Sequence, residues 1–185
     1  MEIGLGLILA IVGGAIVLWA IATYNRMRVI SNRVDNAWSQ VDVQLKRRYD
    51  LIPNLVNTVK GYAAHERETF ENVTRARAMG IEAKSVPEQA QAENMLTQAL
   101  RQIFAVAEAY PDLKANENFL ALQEELTATE GRIAFARQFY NDTVLKFNNT
   151  IQVFPNVIIA GAFGFKKKDY FEIDEASRGP VAVEF

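Results

Sequence analysis

The chain has 185 residues, half of them hydrophobic, and a formal net charge of −2 from 20 Lys and Arg against 22 Asp and Glu. This balance provides no basic field for nucleic acid, so nucleic-acid binding is not expected. Cysteine is absent and there is a single histidine, which excludes disulfides, thiolate sites, zinc centres and di-iron centres. We therefore predict no cofactor, no metal site and no catalytic residue.

The first element is an apolar run from Ile3 to Ala22 that contains no charged side chain. As a helix it just covers a bilayer core of about 30 Å, so we predict a transmembrane anchor over residues 1–23. A cleaved signal is disfavoured because the run is long and no Lys or Arg precedes it. Trp19 lies where an interfacial aromatic residue is expected. Arg26 and Arg28 follow the run, and the positive-inside rule then predicts an N-terminus outside a bacterial inner membrane and a cytoplasmic remainder.

One face of this anchor carries small residues. Gly6, Ala10 and Gly14 recur at four-residue spacing, which allows two membrane helices to approach closely. The pattern favours a homo-oligomer associating through the bilayer. The alternative, that Gly and Ala are simply common in membrane helices, stays open.

Four amphipathic segments follow, and they predict an antiparallel four-helix bundle over residues 24–155. The first segment continues directly from the anchor to about Tyr49, where Pro53 is expected to break or kink the helix. We expect a second helix to start near Pro53 and to stop at Gly80.

Capping signals delimit the other two helices. Ser85 and Glu88 have the spacing of a capping box, which predicts the start of the third helix. That helix is expected to halt at Tyr110-Pro111. Asn116 is a candidate N-cap for the fourth and longest helix, which is expected to end at Pro155.

Residues 156–185 form a separate C-terminal segment. The apolar run Val157 to Phe165 has nine residues, too few to span a bilayer, and Lys166, Lys167 and Lys168 follow it. We favour packing of this run on the end of the bundle. The alternative is an interfacial position with the lysines on anionic headgroups. Residues 172–185 are acidic, contain Gly and Pro, and are predicted to be a loose tail.

Four charged residues interrupt the apolar stripes of the predicted helices: Arg48, Glu66, Glu130 and Arg137. Charges on a core face are costly unless they are paired. One interpretation is a buried ionic layer that sets the register of the helices. The other is that these residues lie at helix edges, where a stripe drifts into solvent.

Two long blocks resemble the bacterial LemA family. They are NAWSQVDVQLKRRYDLIPNLVNTVKGYAAHE, from Asn36 to Glu66, and YPDLKANENFLALQEELTATEGRIAFARQFYNDTVLKFNNTIQVFP, from Tyr110 to Pro155. Three shorter runs also resemble the pattern of this family: TRARA (Thr74 to Ala78), Phe163-Gly164-Phe165 and Tyr170-Phe171. The resemblance implies a single-pass membrane protein with its N-terminus outside and a cytoplasmic helical bundle. It supplies no activity to carry over. A lipoprotein form is excluded because the chain has no cysteine.

The function expected from these features is a non-enzymatic, membrane-anchored scaffold of the bacterial envelope. Its expected partners are the lipid bilayer, further copies of the chain and an unidentified envelope protein. Two alternatives are a membrane-tethered sensor that binds a small molecule between helices, and an enzyme that uses a buried Glu/Arg layer. A stable oligomer would favour the scaffold, whereas ligand-induced stabilisation would favour the sensor.

Overall fold

A computed structural model describes residues 2–172, and within that range the chain is helical with short connections and no strand. The helices are α1 (Glu2–Lys60), α2 (Arg67–Glu82), α3 (Val86–Glu108), α4 (Pro111–Lys114), α5 (Glu117–Gln152) and α6 (Asn156–Ala162). The all-α prediction is confirmed. The loose tail predicted for residues 172–185 lies, from residue 173 on, outside the described residues.

The chain divides into two compact units, and the long helices α1 and α5 contribute to both. The anchor unit comprises Met1–Trp38 and Phe139–Lys168, and the bundle unit comprises Ser39–Gln138 and the chain from Asp169 onward. The domain boundaries predicted at residues 23 and 155 stay a prediction.

In the bundle unit, α2 lies antiparallel to the second half of α1. The Lys60 ammonium group lies 5.5 Å from the centre of the Phe70 ring, near the start of α2. Further along α2, Arg77 Nε donates to the carbonyl oxygen of Tyr49, eleven residues earlier on α1 than Lys60. Residue numbers therefore increase along α2 in the direction in which they decrease along α1, so the two helices are antiparallel.

Helix α5 also runs antiparallel to α1 and α3. Asn116 Nδ2, just before α5, donates to the Tyr62 hydroxyl group just after α1 at 3.0 Å. Near the start of α5, the Phe119 ring lies 6.2 Å from that of Phe104, near the end of α3. These contacts complete an antiparallel bundle of four helices, α1, α2, α3 and α5.

The prediction that Pro53 separates two helices was wrong, because α1 continues through Pro53 to Lys60. Proline has no N–H group, so the carbonyl four residues earlier, that of Tyr49, loses its helical donor. Arg77 of α2 replaces that donor at 2.8 Å. The second helix begins at Arg67, after a turn, rather than near Pro53.

Gly80 was predicted to stop the second helix, but it lies buried within α2, which continues to Glu82. Its role is close approach: a Cβ atom built on Gly80 would lie 2.8 Å from Tyr49 Cζ. Both predicted N-caps are confirmed. Ser85 Oγ accepts from the Glu88 N–H at 3.4 Å, and Asn116 Oδ1 accepts from the Phe119 N–H at 3.0 Å.

In the anchor unit, the first part of α1 packs against the last part of α5. The Trp38 and Tyr140 rings lie 5.2 Å apart. Toward the other end, Phe165 lies 6.3 Å from Phe147 of α5 and 5.8 Å from Tyr24 of α1. The two helices are therefore antiparallel here too, and the segment after α6 packs against both.

Candidate functional site

Arg48 is the centre of a buried polar cluster in the bundle unit, with only 4% of its surface exposed. Its Nη1 donates to Glu93 Oε2 at 2.9 Å. Its Nη2 lies 3.0 Å from both Thr97 Oγ1 and Glu130 Oε2. A guanidinium group is planar and always charged, so it holds carboxylates from two other helices in a fixed arrangement. Arg48 thereby joins α1 to α3 and α5.

Tyr49 extends the same cluster. Its hydroxyl group donates to Glu93 Oε1 and accepts from Gln89 Nε2, the latter at 2.6 Å. Burial raises the pKa of the Glu93 carboxyl group above its ordinary value, against the opposing effect of Arg48. Burial, followed by the nearby Glu93 charge, raises the pKa of Tyr49 well above its usual range. Tyr49 therefore remains a hydrogen-bond donor at every physiological pH.

The chemistry of the cluster suits it to fixing the register of the helices that it joins. Both oxygens of Glu93 are occupied, one by Tyr49 and one by Arg48, and Glu93 is 1% exposed. A satisfied buried network specifies one arrangement of its helices, because any shift leaves a charge unpaired. Among the side chains that the structure describes, no group of three His, Asp or Glu is placed to hold a metal ion. His65, the residue on which a catalytic triad would depend, is exposed in the turn before α2.

Of the four residues proposed for an ionic layer, the structure brings Arg48 and Glu130 together. Glu66 lies half-buried in the turn that precedes α2. Arg137 is half-buried on α5, seven residues beyond Glu130 and thus about 10 Å further along the helix. The principal acidic partner of Arg48 is instead Glu93.

Sequence reasoning missed Glu93, Gln89 and Tyr49, although a signal was present. Gln89 and Glu93 are in phase with Leu96, Leu100 and Ile103, at alternating steps of four and three residues. All five are buried on one face of α3. The first two members of that stripe are polar, and their place on the same face as the apolar members is the signal that they are candidates for a buried network.

An open groove lies on another side of the bundle unit, between α1 and α5. Its volume is about 620 Å³, and Val43 and Phe135, 62% and 75% exposed, stand at its sides. Gln44 Oε1 lies buried in the groove lining without a hydrogen-bond donor. Large exposed apolar side chains of this kind are typical of an interaction surface.

In the anchor unit, the first part of α1 is long and apolar enough to cross a membrane. From Gly6 to Ile21 its large side chains are exposed around the whole helix, including Trp19 at 38%. Ala22 is also exposed, and the Ile3 side chain lies outside the described residues. A helix that is apolar on every side is stable in lipid rather than in water.

The small-residue face of α1 lies open in the structure. Gly6, Ala10 and Gly14 are exposed, and a Cβ atom on either glycine would meet nothing within 4 Å. The structure therefore leaves room for a second helix on this face.

The predicted membrane-proximal basic residues differ in their surroundings. Arg26, Lys166 and Lys167 are exposed. Arg28 Nε donates to the Tyr24 hydroxyl group at 3.0 Å, and its guanidinium carbon lies 5.4 Å from the centre of the Phe165 ring. Lys168 forms an ion pair with Asp35 at 2.9 Å.

An exposed apolar helix followed by a packed helical bundle defines the chain as a membrane-associated, all-α protein. The model of the LemA family matches residues 37–185, and the chain belongs to that family.

Curated relatives include magnetosome proteins. The chain is 27% identical to magnetosome protein MamQ 2 of Paramagnetospirillum magneticum over 184 residues, which covers 85% of this chain and 68% of that protein. It is 25% identical to magnetosome protein MamQ of Magnetospirillum gryphiswaldense, covering 77% of this chain and 62% of the relative. Protein LemA of Metamycoplasma hominis is 26% identical, with 85% of this chain and 72% of that protein covered.

Proposed function

We propose that this protein is a non-enzymatic, membrane-anchored helical scaffold of the bacterial envelope that assembles with further copies of itself or with a protein partner. The first part of α1 is the anchor. Arg26 and Arg28 follow it, which supports an N-terminus outside the inner membrane and a cytoplasmic bundle unit.

The groove between α1 and α5 is the observation that carries this proposal. Phe135 is 75% exposed on a helix whose opposite face is well packed, and exposed aromatic residues of this kind are characteristic anchors of protein interfaces. The polar cluster supports the same reading, because its carboxylate at Glu93 is enclosed by Arg48 and Tyr49 rather than open to a substrate.

The test is the assembly state of the full chain in lipid nanodiscs and in mild detergent. We expect a defined oligomer, or a discrete complex with one envelope protein, and we expect Phe135→Lys to abolish the contacts of that assembly that form through the groove. The matched control is Leu120→Lys, which changes another exposed apolar residue of α5, outside the groove, and should leave the assembly intact. A monomer at all concentrations, with no complex formed through position 135, would overturn the proposal.

The small-residue face allows assembly in the bilayer to be separated from assembly through the groove. Replacing Gly6 and Gly14 with Leu adds bulk where a second helix would approach. If the span associates, this variant loses oligomers that persist in Phe135→Lys. Oligomers that are unchanged in the variant would assign assembly to the bundle unit alone.

A second candidate function rests on a different cavity. This cavity has a volume of about 420 Å³ and lies beside the polar cluster, lined in part by Thr97, Leu100, Phe104 and Glu130. Apolar walls with a few polar groups suit a small ligand, so the bundle unit would then act as a membrane-tethered sensor. A thermal-shift screen with metabolites tests this function, and the stabilisation should disappear when Leu100→Trp fills the cavity. The absence of any stabilising compound would count against it.

A further inference from the structure

The end of the anchor unit carries an exposed apolar surface that the scaffold proposal does not use. Its members are large apolar side chains at and around α6: Val153, Phe154, Val157, Ile158 and Phe163, between 44% and 80% exposed. We name this set the C-terminal apolar face. Ile159 and Ala160 point the other way and are buried. Helix α6 therefore packs through one side, while a second apolar side remains uncovered.

Helix geometry places this face along α1. Tyr140 contacts Trp38, and α5 then runs antiparallel to α1 for twelve more residues, to Gln152. At about 1.5 Å per residue this distance is about 18 Å, which brings the end of α5 level with Arg26. The residues that directly follow Gln152 therefore lie near the level of Tyr24, next to the end of the predicted span.

Direct contacts fix the same level independently. The Phe163 ring centre lies 4.7 Å from that of Tyr24, and the Phe165 ring centre lies 5.8 Å from it. Tyr24 comes two residues after Ala22, where the apolar span ends. Lys168 reaches Asp35, eleven residues further along α1, so the chain leaves this level after Phe165. The exposed Lys166 and Lys167 lie between the two contacts.

We propose that the C-terminal apolar face inserts into the headgroup and acyl boundary of the same bilayer that α1 crosses. Phe154, Ile158 and Phe163 reach about 5–10 Å into this boundary. Lys166 and Lys167 lie on anionic headgroups, as basic residues beside an apolar segment do. The protein then contacts the membrane twice, through the span and through α6.

Lipid is the occupant that the observations favour. The face is continuous with the end of the span through Tyr24, so any bilayer around the span lies beside it. Exposed aromatic residues followed by lysines match the order of layers in a membrane, from hydrocarbon to headgroup. The proposal rests on the anchor of the proposed function, and the experiment below includes a separate readout for that anchor.

The chain has no native cysteine, so single cysteines give unambiguous labelling. Phe154→Cys, Ile158→Cys and Phe163→Cys in the full chain are labelled with an environment-sensitive dye and reconstituted in vesicles of phosphatidylcholine with phosphatidylglycerol. Quenching is measured with lipids that carry a doxyl group near the headgroup or deep in the acyl chain. Leu18→Cys reports on the span. Asn36→Cys is the matched negative control, since it is exposed and lies about 18 Å beyond Tyr24 along α1.

We expect quenching at all three sites, stronger with the shallow quencher, together with quenching at Leu18 and none at Asn36. Quenching at Leu18 without quenching at the three sites would overturn this proposal and leave the anchor intact. The absence of quenching at Leu18 would overturn both. Disulfide formation between copies at position 154, without lipid quenching, would assign the face to a second copy of the chain and also overturn the proposal.

The lysines are tested separately with Lys166→Glu and Lys167→Glu combined in the labelled chain. In vesicles that contain phosphatidylglycerol, quenching at Phe163→Cys should fall at least about twofold, because two attractive charges near the surface become repulsive. In pure phosphatidylcholine it should change little. An equal change in both lipids would overturn the assignment of these lysines to anionic headgroups.

Discussion

Arg77 donates from Nε to the main-chain carbonyl oxygen of Tyr49 at 2.8 Å. That carbonyl lies four residues before Pro53, whose nitrogen has no hydrogen to return to it. A side chain of α2 therefore makes the hydrogen bond that α1 cannot make for itself. The Tyr49 side chain meanwhile bonds Gln89 and Glu93 of α3. Tyr49 of α1 is thus held by hydrogen bonds to two other helices, α2 and α3.

This relationship predicts a coupling between Arg77 and Pro53. Arg77→Met should reduce the free energy of unfolding by about 1–3 kcal/mol, because it leaves a partly buried carbonyl without a donor. In a Pro53→Ala background the loss should be smaller, since Ala at position 53 supplies the helical N–H. Denaturant unfolding of the full chain in detergent, followed by circular dichroism, measures both losses. Arg75→Met, an exposed neighbour, is the control; equal losses for Arg77→Met in the two backgrounds would contradict the coupling.

Two glycines within helices should respond oppositely to alanine. Gly80→Ala places a Cβ atom 2.8 Å from Tyr49 Cζ, and the ring is held by hydrogen bonds, so we expect a loss of about 1–3 kcal/mol. Gly131→Ala meets nothing within 4 Å on α5 and should stabilise the protein by about 0.5–1 kcal/mol through helix propensity. The two melting temperatures test this contrast. An unchanged or raised melting temperature for Gly80→Ala would contradict the close approach of the Tyr49 ring to this glycine.

The buried carboxyl group of Glu93 predicts a dependence of stability on pH. Burial raises its pKa, so above the ordinary value of 4.5 the folded state holds the proton more tightly than the unfolded state. Its contribution to stability therefore falls as the pH rises from 4.5 through the raised pKa. Glu93→Gln removes this ionisation.

The measurement is the melting temperature across that pH range. The wild type should lose stability relative to Glu93→Gln as the pH rises. The exposed Glu124→Gln variant should follow the wild type. Parallel curves for the wild type and Glu93→Gln would refute the prediction.

Asn148 fixes the segment after α6, because its amide group both donates to the Lys168 carbonyl oxygen and accepts from the Lys168 N–H, each at 2.9 Å. Asn148→Leu should free this segment, and the Lys168 amide should exchange its hydrogen about 10–100-fold faster, as expected for the loss of about 1–3 kcal/mol. Hydrogen-exchange mass spectrometry of the full chain measures this rate. Asn149→Leu, on the exposed side of the same turn, should leave it unchanged. Equal exchange in both variants would remove Asn148 from this role.

Much of the architecture was predictable because its causes are local. The apolar run that ends at Ala22, the cap at Ser85 and the cap at Asn116 each depend on residues within a few positions. The helical stripes likewise identify an all-α chain. Arg48 and Glu130 were placed in one ionic layer, as one of two interpretations, from their positions in two stripes. Glu93 was missed because only the apolar members of the α3 stripe were considered.

The sequence by itself determined the helical class, the long apolar N-terminal helix and the two helix starts capped by Ser85 and Asn116, since periodicity, capping and apolar length act between near neighbours. Tertiary structure decided the rest. Whether Pro53 ends a helix depends on Arg77, 28 residues from the carbonyl of Tyr49, and the partner of Arg48 is 45 residues away. Whether Gly80 stops a helix or admits a ring depends on the packing of Tyr49. Which side of α6 is buried was settled by the helices around it, because burial is a property of three-dimensional neighbours.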